Sequence, residues 1–282
     1  MITGIDHVVI LVDDLATAMA AYQRAGFDVV RGGAHPRWGT ENALIALADG
    51  TYLELLAARD RRQAAGHRLW MRPTGQMRAP GEYGGFMVGT SDLAGDVRRL
   101  RARGVAVGDP APGARVRPDG QQVRWRLAFP ERWDMPALIE DATPRDLRVP
   151  APVGVNRHVR LAEVVVAVPD LEDAVHAYTA LEGVTVDTVH DGTPSMRRAR
   201  IRFAHPAACP VVLMQPAPGD DLHHHMERFG PGVGWITLEI EGGMHRLRAL
   251  ADAPQGQAAV RQLEPAWTGG VRIFVAERLG AG

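Results

Sequence analysis

The chain has 282 residues, of which 46% are hydrophobic and 23% are charged, and its formal net charge is -1. This composition is typical of a globular protein with two domains of ordinary size. The near-neutral charge disfavours binding to nucleic acid and to anionic membrane surfaces. The basic side chains are all Arg, which excludes a lysine Schiff base but leaves many donors for anions.

The chain begins almost directly with a strand and shows no signal-peptide pattern. No apolar run reaches the length that spans a membrane. We therefore expect a cytoplasmic protein that does not bind a membrane. The single cysteine, Cys209, lies in an apolar stretch and is expected to be a buried, unreactive thiol.

The first predicted element is a strand over residues 5–12 that leads into a helix. Its Val-rich and Ile-rich pattern favours a half-buried strand, and the two aspartates that follow can cap the helix. Because side chains alternate along a strand, His7 lies on the same face as Val9 and Leu11.

This strand and helix belong to a unit that recurs along the chain. The Asp-Leu pair at 14–15 reappears at 92–93 and at 170–171. Each copy continues with apolar residues at the spacing of an amphipathic helix, and a glycine closes each helix. Short β-rich runs follow each glycine. These patterns predict four copies of a β-α-β-β-β module, the fourth of them degenerate.

Two such modules can pair so that their sheets curl into a cup with the helices outside. The predicted fold class is therefore α+β, with tandem βαβββ modules that form two cup-shaped domains at residues 1–145 and 158–282. Residues 146–157 lie in a proline-containing stretch without periodicity and are predicted to be a linker. The concave face of a cup is the expected binding site.

Several short segments of the first two modules are distinctive. They are the strand at 5–12, the stretch 33–45, the run 51–55, the turn 117–120 and the Leu-Ile-Glu run at 138–140. On these segments the chain resembles the vicinal oxygen chelate superfamily, and in particular its glyoxalase-like branch. The resemblance implies two glyoxalase-like domains, but it does not define a substrate, because this architecture serves isomerases, lyases, ring-opening dioxygenases, thiol transferases and metal-free drug-binding proteins.

The resemblance also implies a metal in the first cup, bound by residues of the first and last strands of each module. The positions carried over are His7 and Glu54 in the first module and Glu140 in the second, while Gly85 stands at the fourth position. The implied cofactor is a divalent ion, one of Zn, Mn, Ni, Fe, Co and Mg, and Glu140 is the expected catalytic base. The second domain has no histidine at the His7 position, so we expect no metal there.

Five further side chains are predicted to contact a substrate. His35, Trp38 and Asn42 lie in or after a glycine-rich loop at the expected rim of the cup; a capping role in a turn is the alternative for His35. Arg115 and Trp125 belong to the hairpin of the second module. Alternation of side chains places Trp125 on the apolar face of that hairpin. The arginines of the hairpin can form an anion clamp or face solvent.

The most conspicuous local run is three histidines at 223–225. Three consecutive residues do not share one face of a helix or strand. We therefore expect a polar segment rather than a metal site, and the sequence assigns it no role.

The leading hypothesis is a divalent-metal-dependent enzyme of the isomerase or lyase type that acts on a small, vicinally oxygenated metabolite through an enolate or oxyanion. The alternative is a metal-free protein that binds or sequesters a small aromatic or anionic molecule, with Trp38 and Trp125 as stacking surfaces. A ring-opening dioxygenase of the extradiol type fits less well, because that chemistry uses two histidines and one carboxylate. The sequence leaves open whether the chain forms a homodimer.

Overall fold

The computed structural model describes residues 1–189, 197–205, 208–247 and 260–278. Its first sheet is a closed barrel with the strand order β1-β4-β3-β2-β6-β7-β8-β5. The eight strands are β1 (Ile2–Val12), β2 (Val30–His35), β3 (Thr40–Ala46), β4 (Tyr52–Ala58), β5 (Tyr83–Thr90), β6 (Ala111–Val116), β7 (Gln122–Ala128) and β8 (Ala137–Asp141).

Four short helices accompany the barrel strands, and they are α1 (Leu15–Arg24), α2 (Arg61–Ala64), α3 (Leu93–Ala102) and α4 (Arg145–Arg148). The predicted caps are present: Asp14 accepts a hydrogen bond from the backbone N–H of Thr17 at 2.7 Å, and Asp92 accepts one from Gly95 at 2.9 Å. A 3₁₀ turn, Arg68–Trp70, follows α2 in the segment that joins the two barrel modules.

The second sheet has seven strands in the order β10-β11-β12-β9-β13-β15-β14. These strands are β9 (Val159–Ala167), β10 (Val184–Val189), β11 (Arg197–Phe203), β12 (Val211–Gln215), β13 (Gly232–Glu241), β14 (Val260–Gln262) and β15 (Ile273–Arg278). The accompanying helices are α5 (Leu171–Thr179), α6 (Asp221–Phe229) and α7 (Pro265–Thr268). Among the helices that the structure describes, none is long and apolar enough to cross a bilayer.

The module repeat is visible in the strand pairing. Within each barrel module the first and last strands are parallel, β1 with β4 and β5 with β8, and the two modules meet through the antiparallel pair β1 and β5. The second sheet repeats this arrangement, with β9 parallel to β12, β13 parallel to β15, and β9 antiparallel to β13. The predicted α+β fold with two glyoxalase-like domains is confirmed, whereas the domain boundaries stay predictions.

Alternation along the strands divides the barrel into two environments. On β1, Val8 and Ile10 pack outward into the large core that includes Tyr22 of α1. Val9 and Leu11 point the other way, into a separate apolar cluster inside the barrel. This inner space is the predicted cup, and residues two positions apart on its strands line it.

The barrel closes on its far side where β2 meets β6. The structure gives this junction one residue pair, Ala34 with Val116, and Gly33 lies beside it with a φ of +136°. A Cβ at Gly33 would collide with the backbone carbonyl of Val116. The narrow contact between the two modules therefore depends on glycine at this position.

We expect Gly33→Ala to lower the free energy of unfolding by about 3 kcal/mol, because it adds a backbone collision to an unfavourable φ. Gly50→Ala is the matched control, since Gly50 has a φ of +82° but open space around its Cβ. It should cost about 1 kcal/mol. Urea unfolding of both variants measures the difference, and equal losses would show that closure of the barrel does not depend on the contact with Val116.

Candidate functional site

His7 and Glu54 lie on the inner face of the barrel, on the adjacent parallel strands β1 and β4. Glu54 is in register with Val9, one step along the same face from His7. Nε2 of His7 is 3.4 Å from Oε2 of Glu54, and Nδ1 of His7 is 2.6 Å from Oδ1 of Asp6. All three side chains are buried. The imidazole ring therefore bridges two carboxylates inside the protein.

The two carboxylates favour the charged form of His7. Burial by itself lowers the pKa of the imidazole, but the hydrogen bonds and charges of Asp6 and Glu54 outweigh it, so the pKa of His7 is raised. The carboxylates respond in the opposite sense. Against the effect of burial, His7 lowers the pKa of Glu54 to about 2, and Arg148 and His7 hold the pKa of Asp6 well below its ordinary value.

Arg148 of α4 completes the buried charge network. Its Nη1 and Nη2 donate to the two carboxylate oxygens of Asp6 at 3.1 and 2.9 Å, and its Nε donates to Asp141 at 2.5 Å. Nη1 also donates to the hydroxyl of Tyr52 at 2.7 Å. The Tyr52 ring in turn stacks on His7 with the ring centroids 4.5 Å apart. Arg148 therefore helps to fix the orientation of the His7 ring through two neighbours.

Asn42 and Arg115 form the polar wall above Glu54. Nδ2 of Asn42 donates to Oε1 of Glu54 at 2.5 Å, and Nη1 of Arg115 donates to Oδ1 of Asn42 at 3.5 Å. Nη2 of Arg115 donates to the backbone carbonyl of Arg148 at 2.7 Å. The Nε of Arg115 is buried and has no hydrogen-bond partner among the described residues.

Four rings form an aromatic wall of the same cavity. The Trp38 ring lies 4.4 Å from His67 and 6.3 Å from Trp125, and His35 meets the edge of Trp125 at 5.9 Å between centroids. His35 was expected in a rim loop, but it is the last residue of β2 and is buried, with its Nδ1 2.9 Å from the hydroxyl of Thr40. The strand extends further than the sequence pattern indicates because residues 30–35 pair with β3.

His35 and His67 are neutral at physiological pH. Burial lowers the pKa of each imidazole to about 4, and the charge of Glu54 offsets this only in part. Nδ1 of His67 accepts a hydrogen bond from the backbone N–H of Leu69 at 3.3 Å. The proton of the neutral ring is therefore on Nε2, and this buried atom has no partner in the part of the chain that the structure describes.

These polar and aromatic side chains line one small cavity. Seven of the eight predicted site residues are among them: His7, His35, Trp38, Asn42, Glu54, Arg115 and Trp125. Apolar side chains of four barrel strands complete the lining, and they are Leu56, Met87, Leu127 and Ile139. The sequence therefore located the cavity, while the roles of its residues stay predictions.

Glu140 is the predicted site residue that does not reach this cavity. On β8 the cavity is lined by Ile139, and Glu140, one position further, points outward. There Oε2 of Glu140 accepts a hydrogen bond from Nε of Arg126 at 2.8 Å, and Oε1 accepts one from the backbone N–H of Leu93 at 3.3 Å. The structure does not bring Glu140 together with His7 and Glu54, because side chains alternate along β8 and Ile139 is the residue that lines the cup.

Gly85 is also displaced from its predicted place at the fourth ligand position of a metal site. Met87 is the β5 residue that lines the His7 cavity, whereas Gly85 lines a different one. The pairing of β1 with β5 contains register irregularities between Ile5 and His7 and between Val9 and Ile10. Such bulges change which residues share a face, so equal spacing in the sequence does not give equal positions in the barrel.

The residues present do not fit a divalent metal centre. Protein sites of this kind commonly combine three protein ligands with an open position. Here His7 and Glu54 offer one donor each, and the second module contributes the apolar Met87 and Ile139. Over residues 1–189, 197–205, 208–247 and 260–278, no group of three or more His, Cys, Asp or Glu side chains is arranged to bind a metal ion.

Four residues that matter in the cup were missed from the sequence. Asp6, Tyr52 and Arg148 surround His7, and His67 contributes a wall. Tyr52 carries a usable signal, because it lies two positions before Glu54 and so on the same face of the strand. His67 and Arg148 carry none, since each comes from an irregular segment outside the repeated modules.

In the second domain, Glu163 of β9 pairs with Thr237 as His7 pairs with Met87, and Trp235 of β13 pairs with Val165 as Gly85 pairs with Val9. Glu163 is 3.3 Å from Arg200, and burial raises the pKa of its carboxyl. The histidine run at 223–225 lies on α6, where the first two histidines contact Glu227 at 3.4 and 3.3 Å. These contacts are local to the helix and do not converge on a cup.

Comparison with known proteins identifies a family. A family model described as a glyoxalase-like domain matches residues 5–182. A hypothetical protein from Staphylococcus aureus has a similar structure, with a TM-score of 0.66 and 12% identity over 97% of this chain and 99% of its own. Methylmalonyl-CoA epimerase from Mycobacterium tuberculosis is 22% identical over 42% of this chain and 87% of its own, with a TM-score of 0.34. A search of curated proteins found no match.

The family match covers more than half of the chain, and the barrel is built from paired βαβββ modules as the resemblance implies. The similarity to the Staphylococcus aureus protein, at low identity, shows a shared fold. This chain belongs to the glyoxalase-like domain family.

Proposed function

We propose that the barrel cup binds a small organic molecule in which a carbonyl or carboxylate oxygen adjoins a flat apolar group. The observation that carries this proposal is the pair of unpartnered, buried N–H donors, Nε of Arg115 and Nε2 of His67, on two residues that line one cavity. A buried donor without a partner costs about 1–3 kcal/mol. A ligand oxygen in the cup offsets that cost, and a bound water does so without specificity.

The aromatic wall accounts for the flat group. Trp38 and Trp125 border the cavity together with Met87 and Ile139, and the two indole rings are 6.3 Å apart. Aromatic rings favour stacked or edge-on contacts with a planar ligand, and thioether sulfur adapts to its shape. The polar and apolar walls together favour an aromatic or conjugated oxygen compound.

An isomerase or lyase is the second candidate, and the observation that favours it is the His7–Glu54 pair. An imidazole nitrogen 3.4 Å from a carboxylate oxygen, inside a ligand cavity, is a suitable arrangement for proton transfer. The metal-dependent form of this activity has weaker support, because Asp6 and Asn42 already engage the other polar atoms of the pair and a third ligand is lacking among the described residues.

Binding of 4-fluorobenzoate, followed by ¹⁹F NMR in the presence of EDTA, tests the cup. We expect wild type to bind and His67→Phe to bind about tenfold more weakly, since one hydrogen bond to a carboxylate is worth about 1.5 kcal/mol. Glu140→Gln is the matched control and should bind as wild type does, because Glu140 lies outside the cup. Equal binding by wild type and His67→Phe, or binding only after metal is added, would contradict the proposal.

Metal analysis tests the metal-dependent form of the second candidate. After chelation and reconstitution with Zn²⁺ or Mn²⁺, we expect wild type, His7→Ala and Glu140→Gln to retain equally little metal. One equivalent of metal in wild type and Glu140→Gln, lost in His7→Ala, would instead establish a metal centre on His7 and Glu54.

A further inference from the structure

A second cavity lies between the barrel and the second sheet. Its walls come from the start of β5, the 3₁₀ turn Arg68–Trp70, the segment 129–137 and the region between α6 and β13. Leu69 is the one side chain that also lines the cup among the described residues. The two cavities are therefore distinct and are separated by the segment that joins the barrel modules.

Arginine side chains dominate the charge of this second cavity. Arg68, Arg78 and Arg132 line it, together with the carboxylate of Glu82. The charge of Arg132 is neutralised by two carboxylates that do not line the cavity, those of Asp134 at 2.7 Å and Asp173 at 2.5 Å.

Glu82 does not balance the remaining guanidinium groups. It accepts a hydrogen bond from Nε of Arg72 at 3.2 Å and lies 3.6 Å from Nη1 of Arg78, so one carboxylate serves two cations. Arg68 adds a third. The exposed carboxylate of Glu131 also acts on Arg68, but solvent screens that interaction. The cavity therefore has an excess of positive charge.

The arginines are held in place beside flat aromatic surfaces. The guanidinium of Arg68 lies 3.9 Å from the centroid of the Trp133 ring, and that of Arg78 lies 5.7 Å from the same ring. The Arg78 side chain is only 8% exposed, and its Nε donates to the carbonyl of Met71 at 2.9 Å. Phe229 of α6 also lines the cavity. Stacking leaves the edges of the guanidinium groups available to an anion.

The hydrogen bonds of Arg68 support this arrangement. Within the described residues its recorded bonds use Nη2 alone, to the carbonyls of Glu131 at 2.8 Å and Arg132 at 3.2 Å. Its Nε and Nη1 groups are thus free to meet a ligand. Burial lowers the pKa of both Arg68 and Arg78, and for Arg78 the neighbouring arginines contribute to the decrease. A bound anion would stabilise both charges.

We propose that this cavity is a second ligand site that takes a small aromatic anion. Its phosphate group meets Arg68 and Arg78, and its ring packs against Trp133 and Phe229. The site is independent of the function proposed for the cup, because none of the residues that define it lines the cup.

Isothermal titration calorimetry with phenyl phosphate, in low salt and EDTA, tests the proposal. We expect wild type to bind, Arg68→Gln to bind at least tenfold more weakly, and Arg68→Lys to fall between them. Arg62→Gln is the matched control, because Arg62 is exposed on α2 and does not line the cavity. Trp38→Ala, which alters the cup, should leave the affinity unchanged. Raising the NaCl concentration should weaken binding.

Three results would overturn the proposal. They are an absence of binding to wild type at millimolar phenyl phosphate, equal affinities for Arg68→Gln and Arg62→Gln, and loss of binding in Trp38→Ala, which would place the ligand in the cup. Inorganic phosphate that binds as tightly as phenyl phosphate would contradict the role of the aromatic walls. Thermal unfolding is the control for folding. If Arg68→Gln unfolds at the same temperature as wild type, its loss of binding is not a loss of fold.

Discussion

Replacement of Arg148 by Ala should lower the free energy of unfolding by about 3–5 kcal/mol, because it removes the buried guanidinium group that binds both carboxylate oxygens of Asp6. Arg148 is 2% exposed and contacts Asp6, Asp141 and Tyr52 at 2.5–3.1 Å. Asp6 is itself buried and cannot recover the lost contacts from solvent. Urea unfolding at neutral pH measures the change. The His7 ring, which Asp6 and Tyr52 orient, should also lose its fixed position.

Arg145 provides the matched control for this prediction. It also contacts Asp6 and lies 3.8 Å from Asp141, but its side chain is 40% exposed. Arg145→Ala should therefore cost about 1 kcal/mol or less. If both variants lost the same free energy, burial of the Arg148 network would not be the source of the stability. A variant Arg148→Ala as stable as wild type would contradict the prediction outright.

Acidification from pH 6.5 to pH 4 should destabilise the protein, and the two neutral histidines of the cup are the expected cause. His35 and His67 have pKa values of about 4 in the folded chain against an ordinary 6.5. Their contribution to stability is complete above pH 6.5 and is lost as the pH falls towards 4, because the unfolded chain takes up protons that the folded chain does not. This difference between the folded and ordinary pKa values corresponds to a loss of about 3 kcal/mol in the free energy of unfolding for each histidine.

The other titrating groups of the cup act in different pH ranges. Glu54, with a pKa of about 2, and Asp6 contribute stability that is lost only below their ordinary values near pH 4. His7 has a raised pKa, so its contribution is complete below pH 6.5 and is lost at higher pH. Between pH 6.5 and pH 4.5, none of these groups therefore cancels the loss of stability that His35 and His67 cause.

The variant His67→Asn isolates one histidine. The Asn carbonyl can still accept the hydrogen bond that the backbone N–H of Leu69 donates to Nδ1 of His67, but it does not titrate. Urea unfolding at pH 7, 5.5 and 4.5 should show a smaller loss of stability in His67→Asn than in wild type. Parallel pH profiles would mean that His67 does not bind protons differently in the folded and unfolded chains.

Much of the cup was predictable because its determinants are local. Helix caps, amphipathic stripes and closing glycines defined the modules, and alternation on β7 correctly placed Trp125 on the inner face. The resemblance predicted His7 and Glu54, and the structure places both on the inner face of the adjacent strands β1 and β4. The seven predicted residues that line the cavity all lie on or next to these regular strands.

The errors arose where position depends on pairing between distant strands. Glu140 was expected in the cup, but Ile139 takes that place, and a difference of one residue sends a strand side chain to the opposite face. Because the pairing of β1 with β5 is irregular, Met87 rather than Gly85 lines the cup. The spacing of residues within one strand predicts neither result, because bulges and register depend on both paired strands.

The sequence by itself determined the repeated modules and the α+β fold, since periodicity and capping act over a few residues, and the resemblance to a known superfamily predicted the pair His7 and Glu54. Only the tertiary structure decided what surrounds that pair. It brought His67 from the segment between modules and Arg148 from the predicted linker, and it left Glu140 outside. The physical reason is that burial, charge pairing and unpartnered donors are properties of contacts between distant segments, which a local pattern does not contain.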